Sequence, residues 1–335
     1  MRIGFVGTGL MGTPMVQRLA TSGYDVRVYN RTRTKALRLV GDSVEVAETP
    51  VEVFAYGHCT VVMVSDAAAT HAVLDALGER PDLHGHTVIQ MSTIGPWESR
   101  ALETRVTAQG GAYLEAPVLG STPDAAGGRL VVLVGASTEL FARWSTLLEH
   151  FGPEPIRVGE VGQAAATKLA LNQLIASLTV AFSYSLALVS KSGVDVECFM
   201  RILRESKLHA PFFDAKLPRL RERRFTGAHF PLVHLRKDVR LTRHAGEFLG
   251  IDTTALAGVQ ALIDRAVALG LGRADATAVH EAVEPGSDWA GGGDEGLPHG
   301  DGDDGLPHGD GDEGLPHGDG DEGLPHGDGP SRDGG

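Results

Sequence analysis

The chain has 335 residues, 42% of them hydrophobic and 22% charged, enough apolar material for a large core and more than one domain. Its formal net charge of −13 is unevenly spread: residues 291–335 hold 13 acids against one arginine, leaving a body close to neutral, with 30 acids against 29 bases. That balance excludes the basic footprint of a nucleic-acid-binding protein, and two cysteines without C-x-x-C spacing, Cys59 and Cys198, indicate neither a disulfide framework nor a metal site.

Met1 to Gly7 run straight into a strand and a glycine turn, leaving no room for a secretory signal; a cytoplasmic protein with reduced thiols is expected. Arg2 to Val6 reads as a strand. It is followed by Gly7-Thr8-Gly9-Leu10-Met11-Gly12 and a helical stretch to about Thr21. A strand, a G-x-G-x-x-G turn and a helix form the dinucleotide-binding arrangement: the turn is tight, the backbone must approach a pyrophosphate, and the helix amides face the anion. A second strand, Asp25 to Tyr29, ends in Asn30-Arg31-Thr32-Arg33. The carboxylate that holds the ribose hydroxyl of NAD is missing there, and arginines suited to a 2′-phosphate stand in its place. NADP(H) is therefore expected in preference to NAD(H), with Thr32 adding a hydroxyl and a helix cap.

The alternation continues with strands Thr60–Ser65, Thr87–Gln90, Ala112–Glu115 and Leu130–Val134, and helices Ala69–Leu77, Trp97–Gln109 and Glu139–His150. This predicts a doubly wound, Rossmann-type parallel sheet. Two loops leave the carboxyl ends of its strands, where ligands of such sheets bind: Met91-Ser92-Thr93-Ile94-Gly95-Pro96, with two hydroxyls, and Ala116-Pro117-Val118-Leu119-Gly120-Ser121, with backbone amides suited to a carboxylate.

After Ile156-Arg157-Val158 the period-2 runs stop, placing the end of a first domain at residue 161 and an all-helical domain over 162–284. Its first helix opens at Gly162-Gln163-Ala164-Ala165-Ala166-Thr167-Lys168 and stays almost uncharged to about Val189, so it is expected to be buried nearly all round. Lys168 and Asn172 are four apart and share one face. A lysine there either snorkels its charge to water or serves as a proton donor whose pKa burial has lowered. The length matches a membrane span, but Asn172, Gln173, Ser177, Thr179, Ser183, Tyr184 and Ser185 interrupt it, favouring a core helix and no membrane partner. Phe225 to Lys237 reads as a mixed loop feeding a helix over Asp238–Leu249. Beyond residue 285 four nonapeptide copies, marked by Leu297, Leu306, Leu315 and Leu324, are rich in glycine, aspartate, histidine and proline. Their composition predicts a disordered acidic tail.

These motifs resemble the β-hydroxyacid dehydrogenase, or 3-hydroxyisobutyrate dehydrogenase, family from Met1 to about Val283. They occur in order: Gly7 to Gly12, Glu115-Ala116-Pro117-Val118-x-Gly120, Gly162 through Lys168 to Asn172, and Lys237-Asp238. Asn30-Arg31-Thr32, Met91-Ser92-Thr93, Phe230-Pro231-Leu232 and Gly270-Leu271-Gly272-Arg273 bring the chain nearest to the glyoxylate and succinic semialdehyde reductase branch, which prefers NADPH. The resemblance implies that Lys168 is the catalytic acid and base. It implies that Ser92, Thr93, Gly120, Ser121, Asn172, Phe230 and Asp238 bind substrate. For the cofactor it implies Gly7, Thr8, Gly9, Leu10, Met11, Gly12, Asn30, Arg31, Thr32, Thr93 and Lys237. The expected substrate is a short aldehyde or keto acid and its hydroxy acid, and the expected assembly a homodimer or homotetramer. An imine reductase and a non-catalytic NADP-binding interaction protein are the alternatives; Lys168 speaks against both. The family loop usually carries a serine where this chain has Leu119, and that departure bears on which substrate is taken rather than on the reaction.

Overall fold

A computed structural model describes residues 1–79 and 81–285. The expected tail lies outside the described residues. Arg2–Val6 (β1) is buried at four consecutive positions, as a strand covered on both faces must be. Cys59–Val62 (β4) and Thr87–Gln90 (β5) are buried throughout for the same reason. With Asp25–Tyr29 (β2), Val44–Val46 (β3), Ala112–Glu115 (β6), Val118–Leu119 (β7), Val131–Gly135 (β8) and Ile156–Gly159 (β9) they form one sheet, in the order β3-β2-β1-β4-β5-β6-β8-β7 with β9 alongside β8. The order reverses between β1 and β4, so the carboxyl ends of these two strands open a crevice.

Helices Gly12–Thr21 (α1), Arg33–Leu37 (α2), Pro50–Phe54 (α3), Ala67–Asp75 (α4), Pro96–Ala108 (α5), Thr122–Gly127 (α6) and Thr138–Leu148 (α7) accompany the sheet. Two apolar clusters result, one around Phe5, Met15, Leu19 and Phe151, the other around Val62, Leu74, Leu102 and Tyr113. The sheet is not parallel throughout: β8 runs antiparallel to both β6 and β7. A parallel return needs a crossover long enough to traverse a sheet face. Between β6 and β8 the only helix is the six-residue α6, which packs on α1 instead.

Only helices follow β9. Gln163–Lys191 (α8) is 29 residues long; after it come Val196–Glu205 (α9), Pro211–Arg221 (α10), Leu232–Phe248 (α11), Thr254–Ala268 (α12) and His280–Val283 (α13), the last two separated by 3₁₀ turns. Phe182, Met200, Phe213, Leu235, Val239 and Ile263 share a third apolar cluster. The described residues belong to one compact unit.

Two expectations for this region need correction. α8 is not buried all round, because Leu174, Tyr184 and Leu188 leave an exposed apolar stripe along it. α11 begins at Leu232 rather than Asp238: Pro231, with its preset φ and no donor to lose, occupies the N-cap, and Leu232, Leu235 and Val239 repeat at helical spacing on the buried face. α10 was not anticipated; its Pro211 stands at the first helical turn, where proline costs nothing.

Candidate active site

The glycine turn after β1 has the shape its sequence asks for. Gly7 adopts φ +102°, and a side chain there would run into the Met63 carbonyl at the end of β4. A side chain on Gly12 would strike the Gly7 carbonyl, so the third glycine lets α1 start directly against the turn. A Cβ on Gly9 meets nothing within 4 Å, leaving open space beside the N-terminus of α1, which no side chain caps. The Thr8 hydroxyl is buried without a partner in the same turn. An open backbone cradle, uncapped amides and an orphaned hydroxyl fit a dinucleotide pyrophosphate. Leu10 is exposed and Met11 packs against the first apolar cluster.

Asn30 joins this turn to β2. Its Oδ1 accepts from Thr8 N at 2.9 Å, and its Nδ2 donates to the Thr32 carbonyl at 2.9 Å. Thr32 stands at the N-cap of α2 but makes no side-chain cap bond, contrary to expectation. Arg31 is exposed on the turn, while the Arg33 guanidinium pairs with Glu48 at 2.5 Å.

Residues far apart in sequence meet beyond the strand ends. Lys168 and Asn172 lie one turn apart on α8, both buried, and the Lys168 side chain is only 8% exposed. Asn172 Nδ2 donates to Asp238 Oδ2 at 2.6 Å, crossing from α8 to α11. Asp238 Oδ1 lies 2.9 Å from Lys237 Nζ, which also donates to the Thr93 carbonyl at 2.5 Å. Lys237 and Asp238 therefore tie the loop after β5 to α8. Trp97 of α5 and His244 of α11 also meet across this junction, with ring centroids 4.5 Å apart and planes tilted by 59°.

Among the described residues nothing hydrogen-bonds or ion-pairs with the Lys168 ammonium within 4 Å. Burial lowers its pKa to about 8; the Asp238 carboxylate works against that shift and the Lys237 ammonium adds to it. Asn172 Oδ1 is buried beside it without a donor.

The remaining expected positions have structural partners of their own. Ser92 is buried and its Oγ accepts from Val64 N at 2.9 Å, tying the end of β5 to the end of β4. Gly120, at φ +140°, turns the loop after β7. Asp124 Oδ2 accepts from Ser121 N at 2.9 Å, the capping-box bond of α6, and from the Ser121 hydroxyl at 2.6 Å; the two hold the Asp124 carboxyl below its usual range. The Ser121 proton is thus committed to Asp124 rather than aimed at a ligand. Phe230 sits against the helical cluster at the entrance of α11. Asp275 fixes that entrance by accepting from His229 N at 3.2 Å, while Ala276 N donates to the Phe230 carbonyl at 2.8 Å.

One buried group central to this arrangement was not singled out from the sequence. Glu115, the last residue of β6, is 1% exposed. Its Oε1 accepts from the backbone N–H groups of Gly162, Ala164 and Ala165 at 2.7, 2.9 and 3.2 Å, capping α8. Ser99 Oγ donates to Oε2 at 2.5 Å and lies 2.9 Å from the Tyr113 hydroxyl. Burial pushes the Glu115 carboxyl above its usual range while these hydrogen bonds pull it back. The available signal was an acid ending an apolar strand, which has to find buried donors.

A family model described as the NAD binding domain of 6-phosphogluconate dehydrogenase matches residues 2–162, and one described as the NAD-binding domain of NADP-dependent 3-hydroxyisobutyrate dehydrogenase matches residues 162–283. Glyoxylate/succinic semialdehyde reductase 1 of Arabidopsis thaliana is 34% identical over 286 residues, 85% of this chain and 99% of that one. The human cytokine-like nuclear factor N-PAC is 30% identical over 283 residues, 84% of this chain and 51% of that protein. Among solved structures, the 3-hydroxyisobutyrate dehydrogenase of Mycobacterium tuberculosis with L-serine superposes with a TM-score of 0.75 at 22% identity, covering 84% of this chain and 99% of that one.

Proposed function

The chain belongs to the 3-hydroxyisobutyrate dehydrogenase family of NAD(P)-dependent oxidoreductases, and from that membership we propose that it interconverts a short aldehyde or keto acid and its hydroxy acid, using NADP(H) in preference to NAD(H). When bound, the nicotinamide supplies or accepts the hydride. Lys168 supplies the proton: its ammonium gives one to the substrate oxygen in reduction, and its free amine takes one from the hydroxyl in oxidation. The observation that carries this reading is a lysine buried on α8 with no ion-pair partner within 4 Å among the described residues; burial lowers its pKa to about 8, so that acid and base forms are both accessible near neutrality.

Asn172 assists from the same face of α8. With Nδ2 committed to Asp238, its unpartnered Oδ1 is left to accept a hydrogen bond from a substrate hydroxyl. The Asp238 carboxylate favours the protonated form of the lysine, and Lys237 holds the Thr93 loop to α11. Gly7 to Gly12, Asn30, Arg31 and Thr32 hold the cofactor. Arg31, exposed on the turn that follows β2 where an NAD-binding chain carries a carboxylate, is the proposed partner of a 2′-phosphate. The exposed Leu174, Tyr184 and Leu188 of α8 support self-association through the helical part.

The test is nicotinamide oxidation with glyoxylate, succinic semialdehyde, methylmalonate semialdehyde, tartronate semialdehyde and cyclic imines. The expected result is turnover of at least one carbonyl acid, with kcat/KM at least about tenfold higher for NADPH than NADH and reversed by Arg31→Asp. Turnover of imines alone, or equal use of both cofactors, contradicts the respective part of the proposal.

A further inference from the structure

We propose that Glu115 is the positioning residue of this site, a single carboxylate that fixes the three segments on which the site is built. Its Oε1 gathers the first amides of α8, the helix bearing Lys168 and Asn172. Its Oε2 takes the Ser99 hydroxyl from the first turn of α5, immediately after the Ser92-Thr93 loop. Its own backbone ends β6 and begins the Ala116–Ser121 loop.

Among the described residues no other side chain accepts from these first amides of α8. Gly162, at its N-cap, has φ +96° and no side chain, so the leading amides depend on an acceptor from elsewhere in the chain. A carboxylate is the strongest acceptor for them and complements the positive end of the helix. The distance it controls is short: Lys168 lies four residues beyond Ala164, about 6 Å along the axis at 1.5 Å per residue. Gly135 provides the room. It pairs with Glu115 across β6 and β8, and a Cβ there would collide with Glu115 Oε1.

The proposal rests on the reading of Lys168 as the proton-transfer group. It is tested in the full chain by Glu115→Asp, which keeps the charge and shortens the reach, and Glu115→Gln, which loses the charge but keeps an Oε1 for the α8 amides and an Nε2 to donate to Ser99. Misplacement of a reacting group by about 1 Å costs on the order of 10²-fold. Glu115→Asp is therefore expected to lower kcat by about 10- to 100-fold with Kd for NADPH, read by fluorescence, changed less than about threefold; Glu115→Gln should recover kcat to within about fivefold of the native protein. In a Lys168→Met background, Glu115→Asp should cost nothing further.

Gly135→Ala, which displaces the carboxylate without altering it, should lower kcat in the same direction and keeps the question answerable if Glu115→Asp does not fold. A merely structural role predicts lower melting temperatures with native kcat per folded molecule in all three variants, and that result overturns the proposal. Loss in Glu115→Gln equal to that in Glu115→Asp overturns it in favour of a charge effect. Full turnover in Lys168→Met alone removes the lysine reading and this proposal together, whereas a crippled Lys168→Met beside a fully active Glu115→Asp removes only this one.

Discussion

An amine whose pKa lies near 8 works in opposite senses in the two directions of one reaction. With Lys168 as the proposed proton-transfer group, reduction would need its ammonium, so kcat/KM should hold at lower pH and fall as pH rises through about 8; oxidation would need the free amine and should climb with pH and level off above about 8. Initial rates measured both ways from pH 6 to 10 check this, and two profiles bending in the same sense would assign the proton transfer elsewhere. Lys168, Asn172, Lys237 and Asp238 were legible because each lies in a short motif, and the structure ties the last three together by hydrogen bonds and an ion pair. Glu115 also opens one of those motifs, but its role was not legible, since its donors at Gly162, Ala164 and Ala165 are 47 to 50 residues away. Ser121 shows the converse: its hydroxyl was visible, but its partner Asp124 becomes a cap only once α6 exists.

β1 read well from the sequence, because Ile3 to Val6 are buried in a row and a glycine turn stops them; β4, expected over Thr60–Ser65, runs instead over Cys59–Val62. Helix α11 read poorly at its start: Leu232 to Lys237 were assigned to the loop, because His234, Arg236 and Lys237 dilute the apolar repeat of Leu232, Leu235 and Val239. The antiparallel β8 was hidden because strand direction depends on the crossover, not on the strand's own residues.

At the start of β5 the fold contains a group that makes it acid-sensitive. His86 is buried, with Nδ1 3.1 Å from the Gly57 carbonyl, Nε2 3.0 Å from Thr60 Oγ1, and its ring stacked on Phe54 at 5.1 Å. Burial lowers its pKa from 6.5 to about 4, partly opposed by the Gly57 hydrogen bond. The unfolded chain therefore takes up a proton below pH 6.5 that the folded chain refuses until about 4. The stability from neutral His86 is whole above pH 6.5 and is lost as pH falls toward 4, by about 3 kcal/mol in all. Urea unfolding between pH 7.5 and 4.5 should show a steeper loss for the native protein than for His86→Gln; parallel slopes would mean that the imidazole is not responsible.

For the molecule as a whole, the dinucleotide crevice and the helical region matter only because several bridges join them: Glu115 to the start of α8, Lys237 to Thr93, Asn172 to Asp238, and Trp97 against His244. They fix α8, the helix that carries the buried Lys168, to the ends of β5 and β6. The most direct test of that convergence is turnover of Lys168→Met with the best carbonyl substrate and saturating NADPH, alongside NADPH binding by fluorescence. Methionine keeps the apolar stem and removes the proton, so kcat should fall by ~10²–10⁴-fold while the Kd for NADPH stays within about threefold. A Lys168→Met protein that retains most of its turnover would contradict the account at its centre.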